Sequence, residues 1–301
     1  MRRITTPFAR TTFVKAPLVA CAVFSLPAFA EPYQWEVEGQ YQKEDRTSSL
    51  SSSADKYNLW GKYYWSPVAT DQGPLAEAAF LSRASNISLA LGRASYSIDS
   101  RYDYTCAEGP DCRARHYGSS ADNTQATLGF EYYLPESWLY FAGRYQYSDR
   151  SSDVRLGVNG QDTSYQYTSD HDYWSASVGI TPLEGWLLAA EFGEGGYGSL
   201  FEGEANVSSK YLWQFGGNRA LNLEATYFID NGYNDWQVGA DYYFNNTLSL
   251  GASYGDDETA EIRLKKFVTD SIALEASYTD FGSRYGMDQG DGFSLGLTAR
   301  F

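Results

Sequence analysis

The chain has 301 residues, 38 acidic against 23 basic side chains, a formal net charge of −15, and 17% aromatic residues, among them 26 tyrosines and 8 tryptophans. So acidic a balance argues against nucleic acid as a partner, because phosphates need cations to neutralise them. The aromatic content argues equally against a disordered chain.

Residues 1–30 carry Arg2, Arg3, Arg10 and Lys15, no acid, and then the apolar run APLVACAVFSLPAFA. A basic start, an apolar stretch of about a dozen residues and an Ala-Phe-Ala end are the parts of a secretory signal peptide. The stretch is too short to span a bilayer as a helix. Cleavage is expected before Glu31, with 31–301 as a single mature domain. A lipoprotein signal ending at Cys21 is the alternative, opposed by the few apolar residues between Lys15 and Cys21. Loss of four basic residues and no acid takes the mature chain to −19.

Beyond residue 30 no stretch stays apolar for the roughly 18 residues that a membrane helix needs. Alternation at period two recurs instead, in runs of roughly nine to eleven residues. Tyr33, Trp35, Val37, Gly39 and Tyr41 share one face, and the pattern returns as Tyr57, Leu59, Gly61, Tyr63 and Trp65. The stretch GPLAEAAFLSRAS, from Gly73 to Ser85, breaks the alternation. Pro74 followed by good helix formers predicts a short helix near residues 74–85, at the end where the connections between strands are short.

Alternation resumes at Ile87, Leu89 and Leu91, then over Ala126–Leu134, Leu139–Tyr147, Trp174–Ile180 and Trp186–Phe192. The second half adds Val207–Trp213, Leu221–Ile229, Trp236–Phe244, Leu248–Tyr254, Ala260–Leu264, Ile272–Tyr278 and Phe293–Phe301. Short connections such as Pro135-Glu136-Ser137 and Asn245-Asn246 alternate with longer acidic ones over 99–123, 149–172 and 279–291. Cys106 and Cys112, flanking Gly and Pro in an exported chain, are expected to close a small disulfide loop. Residues 154–167 alternate around Asn159-Gly160, a hairpin signal expected to extend outside the membrane.

Strands of about ten residues, apolar outward and polar inward, with short turns at one end and longer loops at the other, specify an all-β antiparallel transmembrane β-barrel. Backbone in the bilayer must be fully paired, so the sheet has to close. Aromatic residues gather at strand ends, as in interfacial girdles: Tyr63, Trp65, Trp138, Trp186, Trp213, Trp236, Tyr254 and Tyr278. The count is fourteen strands, with sixteen as the alternative if the 154–167 arms also span.

The inward faces would line a lumen of mixed charge. Its acids are Glu36, Glu38, Glu131, Glu191, Glu224, Asp241, Glu261 and Glu275; its bases are Lys56, Lys62, Arg144, Lys210, Arg263, Lys265 and Arg300. Facing charges across a narrow pore orient polar solutes, or pair and plug it. Catalysis is not expected, because a barrel hydrolase needs a histidine beside its nucleophile near the interface. His116 and His171 both fall in predicted outer loops. No cofactor and no metal are expected. The acidic groups Asp256-Asp257-Glu258 and Asp288 to Asp291 lack a calcium-loop spacing and are read as solvated loop tips.

The last strand alternates through Phe293, Leu295, Leu297, Ala299 and Phe301, with Phe as its final residue. That ending resembles the C-terminal signal of Gram-negative outer-membrane proteins, and the resemblance implies recognition by the outer-membrane assembly machinery. The start EPYQWEVEGQY and the stretch GPLAEAAFLSRASNISL resemble a porin group of marine and pseudomonad-type gammaproteobacteria. This implies a porin of the cell outer membrane, embedded among outer-membrane lipids and lipopolysaccharide, that passes small solutes or ions. A narrow, weakly cation-selective channel for small hydrophilic solutes is therefore expected, with a non-conducting structural or adhesive barrel as the alternative. Deleting Phe301 should leave the protein exported but poorly inserted; the amount of heat-modifiable barrel in outer-membrane fractions measures this. Wild-type insertion would show that the terminal residue is dispensable.

Overall fold

The computed structural model describes residues 32–47, 51–102, 115–158, 161–195, 204–216, 218–230, 233–282 and 289–301. Alternating β-branched, aromatic and small residues favour extended backbone, and fourteen strands form. They are β1 (Tyr33–Thr47), β2 (Ser51–Val68), β3 (Asn86–Tyr102), β4 (Arg115–Tyr133), β5 (Leu139–Val158), β6 (Gln161–Leu183) and β7 (Trp186–Gly195). The second half supplies β8 (Glu204–Phe215), β9 (Arg219–Asp230), β10 (Tyr233–Asn245), β11 (Leu248–Gly255), β12 (Ala260–Thr269), β13 (Ile272–Phe281) and β14 (Gln289–Arg300). Each strand pairs antiparallel with its sequence neighbours, and β1 pairs with β14 from Glu36↔Arg300 to Thr47↔Gln289, closing the barrel. The expected count of fourteen is the observed one.

Leu59, Leu89, Leu128, Val178, Leu223, Ile262 and Leu295 are all exposed on the outer surface. A continuous apolar band of this kind is tolerated only against lipid. The girdle residues Trp65, Trp138, Trp213, Trp236, Tyr254 and Tyr278 are exposed with it. Trp186 donates its indole N–H to Ser209 Oγ at 3.1 Å, which satisfies a hydroxyl that would otherwise face hydrocarbon.

The outer loops are shorter than their sequence suggests. Strands β3 to β6 run for 17, 19, 20 and 23 residues, against 8 to 10 in β11 to β13. Most of the segments 99–123 and 149–172, read from sequence as loops, is therefore strand, with Asp99 opposite Gly118 and Asp149 opposite Asp170. An antiparallel ladder continues past the bilayer wherever Tyr, Ser and Thr persist and no breaker intervenes. The arms around 159–160 are thus continuous with the spanning parts of β5 and β6. On this extension the Ser95 hydroxyl donates to Asp122 at 2.6 Å and, with Arg93 beside it, holds that carboxyl below the usual carboxylate range. Cys106, Cys112 and Asp288 lie outside the described residues.

Tyr33 departs from its expected place. The register shifts between Tyr33 and Trp35, so the Tyr33 ring turns inward and is 2% exposed. It meets the connection between β2 and β3. There Leu75–Glu77 forms a 3-10 turn that leads into α1 (Ala78–Leu81), shorter than the helix expected near 74–85. Arg83, at φ 47°, takes the left-handed conformation that ends it.

This segment folds back into the mouth at the end of the short turns. Ala78 and Ala84 pack with Tyr33, Tyr64 and Val68. Leu75 packs with Phe267 and Ala273, and Phe80 and Leu81 with Leu212, Ala220 and Tyr243. The buried Glu77 carboxylate accepts from the Tyr243 hydroxyl at 2.6 Å and pairs with Lys210 at 2.8 Å.

Two outcomes follow from this arrangement. Cysteine at Asp153, on the exposed extension, should react with an impermeant thiol reagent on intact cells, and cysteine at Glu184, in the β6–β7 turn, should not. Labelling at Glu184 would reverse the orientation. Replacing Glu77 by Leu leaves the Tyr243 hydroxyl and one Lys210 contact unmet, a loss on the order of 3 kcal/mol. It should lower the urea midpoint of the refolded barrel, with Glu77→Gln losing less because it keeps an acceptor for Tyr243. Equal midpoints for all three proteins would mean that this buried contact is marginal.

Candidate pore interior

The pleat sends alternate side chains to the two faces of the wall, and the pairing register places all fifteen charged candidates on the inner one. In the row containing Glu36, that residue lies between Arg300 and Lys62; in the row containing Lys265, that residue lies opposite Glu275. Arg300 Nε donates to Glu36 at 2.7 Å and its Nη1 to the Leu75 carbonyl at 2.7 Å, while the guanidinium lies over the rings of Tyr33 and Phe267.

The pairing continues around the interior. Arg263 bridges Asp241 at 2.9 Å and Glu261 at 3.0 Å; Lys265 meets Glu275 at 3.0 Å; Lys210 meets Glu224 at 3.1 Å. Asn222 donates to Glu224 at 2.8 Å, and Thr298 to Glu38 at 3.3 Å. Across the barrel Arg144 pairs with Glu191 at 2.7 Å, and Asn86 donates to Glu131 at 2.9 Å. Lys56 pairs with Glu44, an inner acid that is 5% exposed and that also lies 3.7 Å from Arg46.

Charge is therefore spread unevenly around the lumen. The arc from β8 through β14 to β2 holds the interlocked acids and bases. The inner faces of β3 to β7 at the same level carry Ser88, Gly92, Gln125, Thr127, Gly129, Gln146, Ser175 and Ser177, with Glu131, Arg144 and Glu191 as the charged groups. Side chains on this arc are shorter than the ionic ones of the opposite arc and take up less of the lumen.

Sequence reasoning missed a second set of inner residues. Glu44 and Glu77 are buried acids, and Tyr33, Tyr64, Tyr133, Tyr140, Tyr243 and Phe267 make an inward aromatic collar near the short-turn end. Inward aromatics ending several strands at one level break the polar-inward rule. That break signals that something apolar occupies the mouth, and the occupant is the 69–85 segment.

His171 stands on the β6 extension with its Nδ1 against the Asp170 carbonyl, and the His116 side chain lies outside the description. Asp257 of the 256–258 acidic group is engaged by Thr259, whose N–H and hydroxyl donate to it at 3.0 and 2.8 Å. Among the described residues no three His, Cys, Asp or Glu side chains converge as a metal site requires.

A family model described as "Putative general bacterial porin" matches residues 12–140 and 199–301. No curated protein sequence matched the chain. The solved outer membrane protein Omp33 of Acinetobacter baumannii is 22% identical and superposes with a TM-score of 0.60, covering 90% of this chain and 99% of that one. The Pseudomonas putida toluene transporter TodX is 10% identical, with a TM-score of 0.54 and 89% of each chain covered. At such identities the likeness is one of fold, and it agrees with the closed fourteen-strand wall, the lipid-facing band and the charged interior. With the family model matching well over half of its length, the chain belongs to the general bacterial porin family and is a β-barrel of the Gram-negative outer membrane.

Proposed function

We propose that the protein is a narrow, weakly cation-selective channel for small hydrophilic solutes. The observation that carries this reading is the inner face above the aromatic collar, where acids and bases pair beside a β3–β7 wall rich in Ser, Thr, Gln and Gly. A polar wall with facing charges replaces part of a solute's hydration and orients it. Because most inner charges are paired, the lumen itself contributes little net bias.

The bias comes from the whole molecule. A mature chain at −19, with Asp149, Asp153, Asp170 and Asp172 on the β5–β6 extension, raises the local concentration of cations at the outer end. The reach of that field is about 10 Å at 0.1 M salt. Residues 69–85 occupy the periplasmic mouth, which holds the resting conductance low.

The deciding measurement is reversal potential across a KCl gradient in planar bilayers, repeated at low and high ionic strength. A small cation preference that fades as salt rises is expected. Anion preference would mean that Lys56, Lys62 and Arg144 dominate the constriction. Complete absence of conductance would favour a structural or adhesive barrel.

A further inference from the structure

The segment that fills the periplasmic mouth is held very differently on its two sides. Toward the arc from β8 to β2 the contacts involve the backbone, and those of Leu75 and Glu77 are buried. Leu75 donates its N–H to the Asn246 carbonyl at 2.8 Å, Arg300 donates to the Leu75 carbonyl, and Gln214 donates to the Gln72 carbonyl at 2.9 Å. Glu77 is locked by Tyr243 and Lys210, and three apolar clusters lie beneath.

Toward β4 to β7 the seal is made of side chains. Arg83, exposed, donates to the Ser137 carbonyl in the β4–β5 turn, and its guanidinium lies 5.7 Å from the centre of the Tyr133 ring. Tyr133 and Tyr140 meet ring to ring at 4.9 Å and form their own apolar cluster with Ala189, Ala142 and Leu187, to which the 69–85 segment contributes nothing. The Tyr140 ring lies over Gly179, where even a methyl carbon would come within 3.1 Å of it. Between the segment and the β6–β7 turn is a cavity of about 360 Å³, lined by Phe80, Leu81, Thr181, Leu183 and Trp186 and by Arg83 of the seal. Above the rings the wall is lined by small residues up to Arg144 and Glu191.

We infer that solutes leave the barrel along the β4–β7 wall, through a side-chain gate of Arg83, Tyr133 and Tyr140, while the rest of the β2–β3 connection stays docked. This rests on the channel reading above and adds to it a route and its gating residues. Opening this seam needs rotamer changes in two rings and one guanidinium, and the Ser85 hydroxyl that accepts from the Tyr133 N–H at 2.9 Å can stay in place. Opening the other side would strip partners from a buried carboxylate and from backbone groups, which is far costlier. The small-residue arc delivers solute to the rings, and the cavity beside the β6–β7 turn receives it.

The test tethers the docked side and opens the seam. Gly73→Cys and Gln214→Cys, adjacent in the structure, are bridged by a disulfide or a short bis-methanethiosulfonate. Tyr140→Ala and Arg83→Ala are then introduced separately into the tethered protein. Heat-modifiability confirms a folded barrel in each case, and Arg83, being exposed, keeps the test valid should the tyrosine variant misfold. Single-channel conductance should rise on the order of threefold in either variant and should not change when the tether is reduced.

If tethering silences the variants and reduction restores conductance, the whole connection must move and the inference is overturned. A variant lacking residues 72–82 separates the remaining cases. If it conducts and neither side-chain variant exceeds wild type, the route is wrong and the channel reading stands. If it does not conduct either, the channel reading itself fails.

Discussion

Closure of the wall between β1 and β14 is the contact on which the rest of the molecule depends. In hydrocarbon an unpaired N–H or carbonyl costs several kcal/mol, so a fourteen-strand sheet with two free edges could not stay in the membrane. The seam runs over twelve opposed residue pairs. Its last links use the terminal residue: Trp35 donates to the Phe301 carbonyl at 2.7 Å, and Phe301 donates back to Trp35 at 3.0 Å. The terminal Phe301 is thus both the end of a strand and the final rung of the barrel, with its ring half-exposed on the lipid side.

Once the wall is closed, its diameter sets the problem of the interior. Fourteen strands enclose too much space for side chains alone to fill and too little for a wide aqueous pore. Two solutions coexist. At mid-height acids and bases interlock along one arc, so that each buried charge has a partner, as burial demands. Near the periplasmic end apolar side chains turn inward and a connecting segment fills the remaining volume. Arg300 joins the two regimes, because one guanidinium pairs with Glu36, caps the Leu75 carbonyl and covers two aromatic rings.

The asymmetry between the arcs has a chemical origin. Long ionic side chains on β8 to β2 pair along the wall, and two of them also take partners from the folded-back segment, Lys210 from Glu77 and Arg300 from the Leu75 carbonyl. The Ser, Gly, Ala and Gln side chains of β3 to β6 make no such demand and are short. The docked segment and the short-residue wall therefore lie on opposite sides of the same barrel.

Much of this was legible in the sequence, because a lipid-facing wall imposes a period of two on every strand. The alternation of Leu221 to Ile229 or Phe293 to Phe301 marks both the strand and its outward face, and the inner candidates from Glu36 to Arg300 follow by parity. The limits of β3 to β6 were less legible, since polar Tyr, Ser and Thr read as loop whether or not they pair across strands. The one-residue shift at Tyr33 left no trace in composition, and it reverses which way that ring points. The destination of residues 69–85 could not be read either. Pro74 and the alanines announce a short helix, but whether it rests outside the mouth or enters depends on Tyr64, Tyr243, Phe267 and Lys210. Those residues lie on four strands far apart in the chain. Periodicity along one strand is a local property and is written in the sequence; which charges and rings meet across a closed lumen is set by the register of all fourteen strands together.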